Sequence, residues 1–426
     1  MATTSAVVLG RLDEVRVWQE ELYRDLHAHP ELSHQEHRTA QAVAGRLAAA
    51  GCDVHSGVGG TGVVGILRNG AGPTVLLRAD MDALPVREAT GLPYASTATA
   101  TAADGTQVPV MHACGHDVHV TCLLGALDLL AGATDVWGGT VVAVFQPAEE
   151  VADGASGMVE GGLTDLVDTV DVALCQHVLP LPAGCVATRS GPVLSSADSM
   201  RVTVHGRGGH GSMPHATVDP VVVAAMIVVR LQTVVSRELP PGEPAVLTVG
   251  SIQAGTKSNI IPESATILLN IRTYSDETRT GILSAIERIV RAECAASGAP
   301  EEPELELFDH FPLTENDLEV TARVAAAFAG HFGDAAQELA PVTASEDFSD
   351  LPRAFDAPYT YWGIGGTDSE VFDRAAAAGR LAQDVPVNHS AAFAPVLQPT
   401  LDTGTAALVV AALAWLGREE QLGREP

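Results

Sequence analysis

The chain of 426 residues exceeds the length of one ordinary domain, so we expect two or three domains. Its 24 basic and 53 acidic side chains leave a net charge of −29, which argues against a nucleic acid or an anionic membrane surface as partner. The strongest apolar run, residues 406–416, is much shorter than the roughly twenty residues that a membrane span needs, and we interpret it as a buried helix.

The first part of the chain alternates between helical and strand-like patterns. Apolar residues recur with a helical period over residues 12–27 and 36–50, and a nearly all-apolar helix is expected over residues 117–130. Strands that alternate with helices imply a layered α/β domain with a mainly parallel sheet. Short apolar runs predict its buried strands at residues 73–78, 140–145, 170–175 and 359–364.

The middle third of the chain has a different order of elements. It reads β-α-β-β-α-β, the split βαβ or ferredoxin-like plan, over residues 199–205, 219–237, 245–253, 265–274, 276–297 and 304–308. Turn-rich sequence near Gly191 and Pro303 marks the ends of this insertion. We therefore predict a catalytic domain formed by residues 1–190 and 307–426, with a second domain, residues 191–306, inserted into it.

The six cysteines show no spacing typical of a disulfide framework, and no basic segment followed by an apolar one precedes them as a leader. In a chain of this size without such a leader, the thiols are expected to stay reduced. We therefore expect a cytoplasmic protein.

Residues 111–119, Met-His-Ala-Cys-Gly-His-Asp-Val-His, concentrate side chains that bind metals. Three imidazoles, a thiol and a carboxylate crowded this closely are hard to explain by packing, and they suit a divalent transition metal. We expect Cys114 and His116 to be ligands, with Gly115 allowing a tight turn between them. The residues with supporting roles are then His112, Asp117 and His119.

Polar side chains also follow the predicted strands, where ligands gather in open α/β sheets. They are Asp80, Asp82, Glu149, Glu150, His177 and, in a late loop, His389. On a turn, the two adjacent glutamates can diverge, so that one binds a metal while the other acts as general base on a metal-activated water. Taken singly, each feature also fits an ordinary role as a hydrogen-bonded histidine, a solvated turn or a loop cap.

Eight motifs in chain order resemble one enzyme family along nearly the whole sequence. They lie at residues 27–33 (HAHPELS), 77–85 (LRADMDALP), 111–117 (MHACGHD), 145–150 (FQPAEE), 206–210 (GRGGH), 258–262 (SNIIP), 345–348 (SEDF) and 388–390 (NHS). The chain resembles the metallo-aminoacylase and carboxypeptidase clan, within it the branch of hippurate hydrolase, N-acyl-amino-acid amidohydrolases and plant indoleacetyl-amino-acid hydrolases. This resemblance implies a layered α/β metallopeptidase catalytic domain with an inserted ferredoxin-like domain for lid closure and dimerisation.

The resemblance also implies a site for two divalent metals. Its implied ligands are Cys114, His116, Glu150, His177 and His389, of which Cys114 would bridge the metals. Glu149 takes the position of the general base, and Asp82 that of a carboxylate that orients a ligand. Related branches carry a metal-binding histidine near Asp80, whose role here stays open. Zn²⁺ and Mn²⁺ both suit these ligands, and Co²⁺ and Ni²⁺ are alternatives.

The inserted domain contributes further residues by resemblance. His210 matches a histidine that reaches the active site of the partner subunit in a homodimer, or a dimer of dimers, and stabilises an oxyanion there. Asn259 and Arg272 match residues that hold the free carboxylate of the substrate. Two departures are Arg207, which stands where the family has lysine, and the aromatic segment 358–363, which leaves the acyl group unassigned.

Together these residues imply a metal-dependent amidohydrolase that cleaves the amide bond of N-acyl-amino acids, such as hippurate-like compounds or amino-acid conjugates. A dipeptidase or carboxypeptidase on the same scaffold is an alternative among the enzymes. A catalytically silent homologue that binds such conjugates or metal is an alternative of another class. The presence of Glu149 together with all five implied ligands argues against it.

Overall fold

The computed structural model describes residues 3–418. Its α-helices are α1 Thr4–Leu9, α2 Leu12–Ala28, α3 His37–Ala49, α4 His116–Ala131, α5 Gly154–Glu160, α6 Leu163–Leu166, α7 Pro220–Thr233, α8 Asp276–Ala296, α9 Leu318–Phe332, α10 Asp350–Ala354, α11 Ser369–Ala377, α12 Leu381–Asp384 and α13 Leu397–Leu416. Its β-strands are β1 Asp53–Val58, β2 Gly62–Asn69, β3 Thr74–Asp80, β4 Thr99–Thr101, β5 Gln107–Pro109, β6 Gly139–Gln146, β7 Val172–Pro182, β8 Val186–Thr188, β9 Gly191–Leu194, β10 Ser196–His205, β11 Gly209–His210, β12 Ala245–Ala254, β13 Ile260–Ile261, β14 Ser264–Thr273, β15 Glu304–Phe311, β16 Thr314–Asn316, β17 Ala336–Glu338 and β18 Tyr359–Thr367.

The chain forms two compact units. Unit 1 contains the described residues up to 193 together with residues 315–341 and 347–418, and unit 2 contains residues 194–314 and 342–346. The domain limits expected from the sequence, at residues 191 and 306, stay a prediction. Strand β15 continues to Phe311, beyond the strand end expected at residue 308, and unit 2 continues with it.

An eight-stranded mixed sheet forms the centre of unit 1, in the order β1-β2-β6-β3-β7-β18-β8-β17. Its four middle strands β6, β3, β7 and β18 are parallel neighbours. They are buried almost throughout, which explains why they read as short apolar runs rather than as alternating patterns. The expected layered α/β domain is confirmed.

Helix α13 is a core helix of unit 1. It is long and apolar enough to span a membrane by composition, yet 78% of its most apolar stretch is buried inside the protein. It packs against α4, which is itself buried nearly all round. The interpretation of residues 406–416 as a buried helix is therefore confirmed. The segment Pro220–Glu238, which contains α7, passes the same test of length and composition, but only 33% of its stretch is buried.

Two features of unit 1 differ from the sequence expectations. Strands β1 and β2 pair antiparallel at one end of the sheet. They were not predicted from the sequence, because glycines and polar residues interrupt their apolar pattern. Strand β7 does not end at Cys175 but continues to Pro182, because β18 pairs with it along this length. His177 therefore lies within a strand and not beyond its end.

Unit 2 contains a four-stranded antiparallel sheet in the order β12-β14-β10-β15. Strand β14 buries alternate residues from Ala265 to Ile271, and these pack against α7 and α8. Both helices begin at a capping side chain: Asp219 accepts a hydrogen bond from Val221 N, and Ser275 accepts one from Thr278 N. The six elements follow the expected β-α-β-β-α-β order.

Candidate metal centre

The candidate site lies where the parallel strands β3 and β7 stop pairing. Their register ends at Arg78 opposite Cys175, after which β7 continues beside β18. Two residues later, the ring of His177 lies beside the start of α4, with its centroid 5.8 Å from that of His116 and 4.4 Å from that of His119. The separation of the two strands thus leaves room for side chains from a helix N-terminus.

Gly115 lets the chain bring Cys114 and His116 to the same place. Its φ of +86° is a left-handed conformation that side chains disfavour, and a Cβ atom there would lie 2.3 Å from Cγ1 of Val178. Helix α4 begins at the next residue. The tight turn expected between the two ligand candidates is therefore present, and only glycine fits it.

All five implied ligands of the sequence lie close together. Cys114 Sγ is 3.4 Å from His177 Nε2, and Glu150 Oε2 is 3.3 Å from His389 Nε2. Ligand atoms of Cys114, Glu150 and His389 lie within 4.8 Å of one another, and Glu150 Oε1 is 3.9 Å from His116 Nε2. Four of these residues precede unit 2 in the chain and one follows it, so unit 1 contains the whole set. Their assignment as ligands stays a prediction, which this geometry favours.

Asp82 is hydrogen-bonded to two of these residues, as expected for an orienting carboxylate. Its Oδ1 is 3.2 Å from His116 Nδ1, and its Oδ2 accepts hydrogen bonds from Glu150 N at 3.0 Å and from Ser33 Oγ at 2.7 Å. With Nδ1 as donor to Asp82, Nε2 of His116 is left to bind a metal. Ser33 belongs to the first sequence motif, residues 27–33, so this motif contributes to the site by holding Asp82.

The site has the properties of a cation-binding centre. His116 Nε2 and Glu150 Oε1 are buried and have no hydrogen-bond partner among residues 3–418, which is costly unless another group binds them. Burial lowers the pKa of His116, but the carboxylates of Asp80, Asp82 and Glu150 outweigh burial and raise it to about 10. Burial, followed by the neighbouring His119, holds the pKa of His177 well below its usual range, so this imidazole is neutral and can donate a lone pair. The residues fit divalent metal ions.

His119 supports the site from inside the protein. Its Nδ1 is 2.5 Å from Asp80 Oδ1, and its Nε2 accepts a hydrogen bond from Val178 N at 2.8 Å. Val178 O in turn accepts one from His177 Nδ1 at 2.8 Å, which turns His177 Nε2 towards Cys114. Because both ring nitrogens of His119 are engaged, we assign it a positioning role, although its ligand atom lies within 4.8 Å of those of Asp80, His116 and His177.

Asp80, whose role the sequence leaves open, is surrounded by buried charged and polar side chains. Besides His119, its carboxylate binds Arg78 Nη1 at 2.6 Å, and all three side chains are buried. Burial alone would raise the pKa of Asp80, but His116, His119 and Arg78 hold it well below its usual range. Asp80 is therefore a charged residue that neutralises and orients its neighbours.

Glu149 and Glu150 lie on a short 3₁₀ turn that follows β6. The turn is flanked by two alanines in the left-handed conformation, Ala148 with φ 53° and Ala152 with φ 62°. Glu149 is buried, and its Oε2 lies 3.9 Å from His116 Nε2. The turn thus places both carboxylates at the same site, where one can bind a metal and the other can act as a base.

The sequence does not reveal two buried carboxylate networks near the site. His27 lies between Asp117 Oδ2 at 2.7 Å and Glu88 Oε1 at 3.2 Å, and Glu36 accepts a hydrogen bond from Ala148 N at 2.9 Å. Glu36 and Glu88 carry no sequence signal of burial, because acidic residues near helix starts and in loops are usually solvated. His112, expected to support the site, is buried without a hydrogen-bond partner in the described chain, and burial lowers its pKa to about 4.

The expected substrate-binding residues all belong to unit 2. His210 in β11 is exposed and pairs with Ile260 of β13, so that Gly211 N donates to Asn259 O at 2.9 Å. The structure therefore brings His210 and Asn259 close to each other along the short β11–β13 pair. Arg272 lies in β14, and its Nη1 donates to Thr343 O at 2.8 Å and Ser345 Oγ at 3.1 Å. The roles of these three residues stay predictions.

Comparison with known proteins gives consistent results. A sequence model of the family described as Peptidase family M20/M25/M40 matches residues 76–378. Thermostable carboxypeptidase 1 of Saccharolobus solfataricus is 38% identical over 357 residues, which are 83% of this chain and 86% of that protein. Hippurate hydrolase of Campylobacter jejuni is 37% identical over 335 residues, 77% of this chain and 83% of that one. The crystal structure of a dinuclear metal-binding peptidase from Bacillus subtilis superposes with a TM-score of 0.75 at 27% identity, covering 94% of this chain and 98% of that one.

Proposed function

Because this chain belongs to the peptidase family M20/M25/M40 and is a hydrolase of amide bonds, we propose that it removes the acyl group from N-acyl-amino acids. The observation that carries the proposal is the position of Glu149, a buried carboxylate beside five candidate metal ligands. A relative named hippurate hydrolase, 37% identical to this chain, supports the substrate class.

The residues of unit 1 provide the parts of such a reaction. Cys114, His116, Glu150, His177 and His389 would hold two divalent metals. Bound metals of this kind acidify a coordinated water and polarise a carbonyl oxygen. Glu149 takes the proton of the attacking water and then delivers it to the leaving nitrogen. Asp82 keeps His116 in the tautomer whose Nε2 faces the metal side.

The proposal predicts a specific effect of replacing Glu149. Glu149→Gln keeps the shape of the side chain but cannot accept a proton, so kcat on N-acyl-amino acids should fall by roughly 10²–10⁴-fold. Elemental analysis should find the metal content of this variant unchanged, because Glu149 is not among the ligands. Glu150→Gln is the matched control on the same turn, and it should lose metal. Full activity of Glu149→Gln would reject the general-base role.

A carboxypeptidase or dipeptidase activity is a second candidate, favoured by the 38% identity to a thermostable carboxypeptidase. Deacylation and peptide cleavage both release an amino acid with a free carboxylate. The two reactions differ only in the acyl group, which is a simple acid in one and an amino acid or peptide in the other. Parallel assays should compare N-acetyl and N-benzoyl amino acids with dipeptides and blocked dipeptides of the same C-terminal residue. Higher kcat/KM on the peptides would favour carboxypeptidase. An absence of turnover by metal-loaded protein on both panels would favour a silent binding homologue.

We propose Zn²⁺ or Mn²⁺ as the resident metal, with Co²⁺ and Ni²⁺ as alternatives. Thiolate and imidazole ligands favour the softer ions of this group, whereas the carboxylate of Glu150 also suits Mn²⁺. Elemental analysis of protein purified without added metal, followed by reconstitution of the stripped protein with each ion, would identify it.

We also propose that the protein is a cytoplasmic homodimer in which His210 serves the partner's active site. No disulfide joins any of the six cysteines, all of which lie within residues 3–418, and this supports a reducing compartment. Helix α7 exposes Val222, Met226 and Val229 at helical spacing, and strand β12 pairs with β14 on one side within the described sheet. An apolar helix face beside a sheet edge of this kind suits association of two copies.

A further inference from the structure

Glu36 is a fully buried carboxylate that is neither a candidate metal ligand nor the candidate general base. Its Oε1 accepts hydrogen bonds from Ala148 N at 2.9 Å and from His34 N at 3.0 Å. Its Oε2 accepts one from Thr61 Oγ at 2.6 Å. A single side chain thus connects the start of α3 with the loop before β2 and with the turn that carries Glu149.

A side chain at the position of Glu36 normally caps the N-terminus of the helix that follows it, here α3. Glu36 is the N-cap residue of α3, a position whose side chain, most often that of Ser, Thr, Asp or Asn, accepts hydrogen bonds from the first helical N–H groups, but Glu36 makes no such bond. Here Glu31 takes that role, since its two oxygens accept from Arg38 N at 2.9 Å and Thr39 N at 2.8 Å. Glu36 therefore does not cap α3, and its carboxylate instead binds Ala148, the residue before Glu149.

The residue that Glu36 binds needs support. Ala148 has a φ of 53°, a left-handed conformation that costs on the order of 1 kcal/mol for a residue with a Cβ. Such conformations persist where surrounding contacts hold them. The neighbouring Glu150 has its own anchor, because its N–H donates to Asp82. Ala148 directly precedes Glu149, so its left-handed conformation sets the direction in which the backbone enters Glu149.

We propose that Glu36 is a positioning residue for the general base: through the Ala148 N–H it holds the turn that aims Glu149 at the attacking water. This inference rests on the proposed function for the role of Glu149, and it deepens that role. Glu36 acts through hydrogen-bond acceptance. Its negative charge is not required, because a glutamine carbonyl can accept from the same two N–H groups while its amide donates to Thr61.

The test compares Glu36→Ala, Glu36→Gln and Thr61→Val as metal-loaded full-length proteins, with the amide substrate that the wild type turns over fastest. Glu36→Ala should lower kcat by about 10–100-fold, the size expected when a catalytic group is displaced by about 1 Å, with KM changed less than about 2-fold and metal content unchanged. Glu36→Gln should stay within about 3-fold of the wild-type kcat. Thr61→Val removes a buried hydrogen bond to Glu36 but leaves the Ala148 contact, so it should lower Tm without lowering kcat.

Hydrogen–deuterium exchange gives a second readout that does not depend on activity. In Glu36→Ala, the segment 146–152 should exchange at least about 10-fold faster than in the wild type, and in Glu36→Gln it should not. This arm tests whether Glu36 holds the turn even if the substrate proposal fails. An active Glu149→Gln variant would reject the base role, and with it the catalytic part of the inference, but it would not change the exchange result, so the two failures are distinguishable. A Glu36→Ala protein with wild-type kcat and wild-type exchange, a Glu36→Gln protein as damaged as Glu36→Ala, or an equal loss of kcat in Thr61→Val would each overturn the inference.

Discussion

At the scale of single residues, His27 shows how a motif residue can serve the site without touching it. Its side chain is completely buried between the carboxylates of Asp117 and Glu88. Asp117 directly follows the ligand candidate His116, and Glu88 lies in the loop after Asp82, where it also accepts from Ser96 N. A protonated His27 therefore connects α2, the start of α4 and this loop through one positive charge.

The charge of His27 predicts a pH-dependent contribution to stability. Burial lowers the pKa of His27, but hydrogen bonds and charges from Asp117 and Glu88 outweigh burial and raise it from 6.5 to about 10. The contribution is complete below about pH 6.5, where the unfolded chain is protonated too, and it is lost as the pH rises towards 10. His27→Gln should therefore lower the free energy of unfolding by about 3 kcal/mol near pH 6, and by much less near pH 10.

Urea unfolding of the metal-loaded protein at several pH values measures this difference. His29→Gln is the matched control, because His29 lies at the same helix end but is exposed, and it should change stability by less than about 0.5 kcal/mol. A His27→Gln penalty that is the same at low and high pH would show that packing, not the charge, is what His27 contributes.

The sequence reveals those site residues whose type itself suggests chemistry. Cys114 and His116 stand together, and Glu149, Glu150, His177 and His389 follow apolar runs or lie in a recognisable motif. Glu36 and Glu88 could not be found in this way, since what makes them informative is burial beside distant backbone N–H groups. His119 was expected to support the site, but its partners Asp80 and Val178 come from different strands and appear only in the folded chain.

At the scale of secondary-structure elements, the junction before α4 is the most restrictive part of the site. Gly115→Ala would place a methyl group 2.3 Å from Val178 Cγ1 at a φ of +86°. We expect this substitution to destabilise the protein by about 1–3 kcal/mol and to weaken metal binding by at least about 10-fold, because Cys114 and His116 must separate. Calorimetric metal titration of the stripped protein and thermal unfolding would measure both effects.

Gly45→Ala provides the control for this prediction. Gly45 lies on the exposed side of α3 with no atom within 4 Å of a Cβ built on it, so alanine should raise stability by about 0.5–1 kcal/mol through helix propensity. Unchanged metal affinity in Gly115→Ala would show that the left-handed turn does not set the ligand geometry.

A helix or strand could be predicted where its own sequence carries a clear pattern of apolar residues. Buried strands such as β3 and β6 stand out as short apolar runs, and the helices of unit 2 show a helical period, so their predicted positions agree with the observed elements to within about two to four residues at each end. Strands β1 and β2 contain glycine and polar residues, so their pairing depends on the neighbouring sheet rather than on local preference. The extension of β7 to Pro182 likewise depends on its partner β18, which lies far away in the sequence.

At the scale of the whole molecule, the chain separates two tasks. The candidate ligands and Glu149 lie in unit 1, whereas the residues expected to bind the substrate carboxylate and the oxyanion, Asn259, Arg272 and His210, lie in unit 2. If unit 2 provides His210 to the partner subunit, neither copy alone has a complete active site. Dimerisation would then be a requirement for catalysis, and not only a source of stability.

Mixed dimers test this arrangement directly. His210→Ala and Glu149→Gln should each be nearly inactive as homodimers. In a heterodimer of the two variants, one of the two active sites would combine an intact Glu149 with an intact His210, so that the purified heterodimer should show about half of the wild-type activity. Co-expression with two different affinity tags, followed by sequential purification, isolates the heterodimer for the assay. An inactive heterodimer would show that His210 acts within its own subunit.

The exposed apolar face of α7, proposed as the dimer interface, can be tested by substitution. Met226 and Val229 are 48% and 66% exposed on α7, and a Met226→Glu, Val229→Glu variant would place two charges into the proposed dimer interface. It should elute as a monomer in size-exclusion chromatography with light scattering and lose activity, yet retain metal, because the ligand candidates belong to unit 1. Val17→Glu is the control, since Val17 is 67% exposed on α2 of unit 1. A double variant that stays dimeric would place the interface elsewhere on the surface.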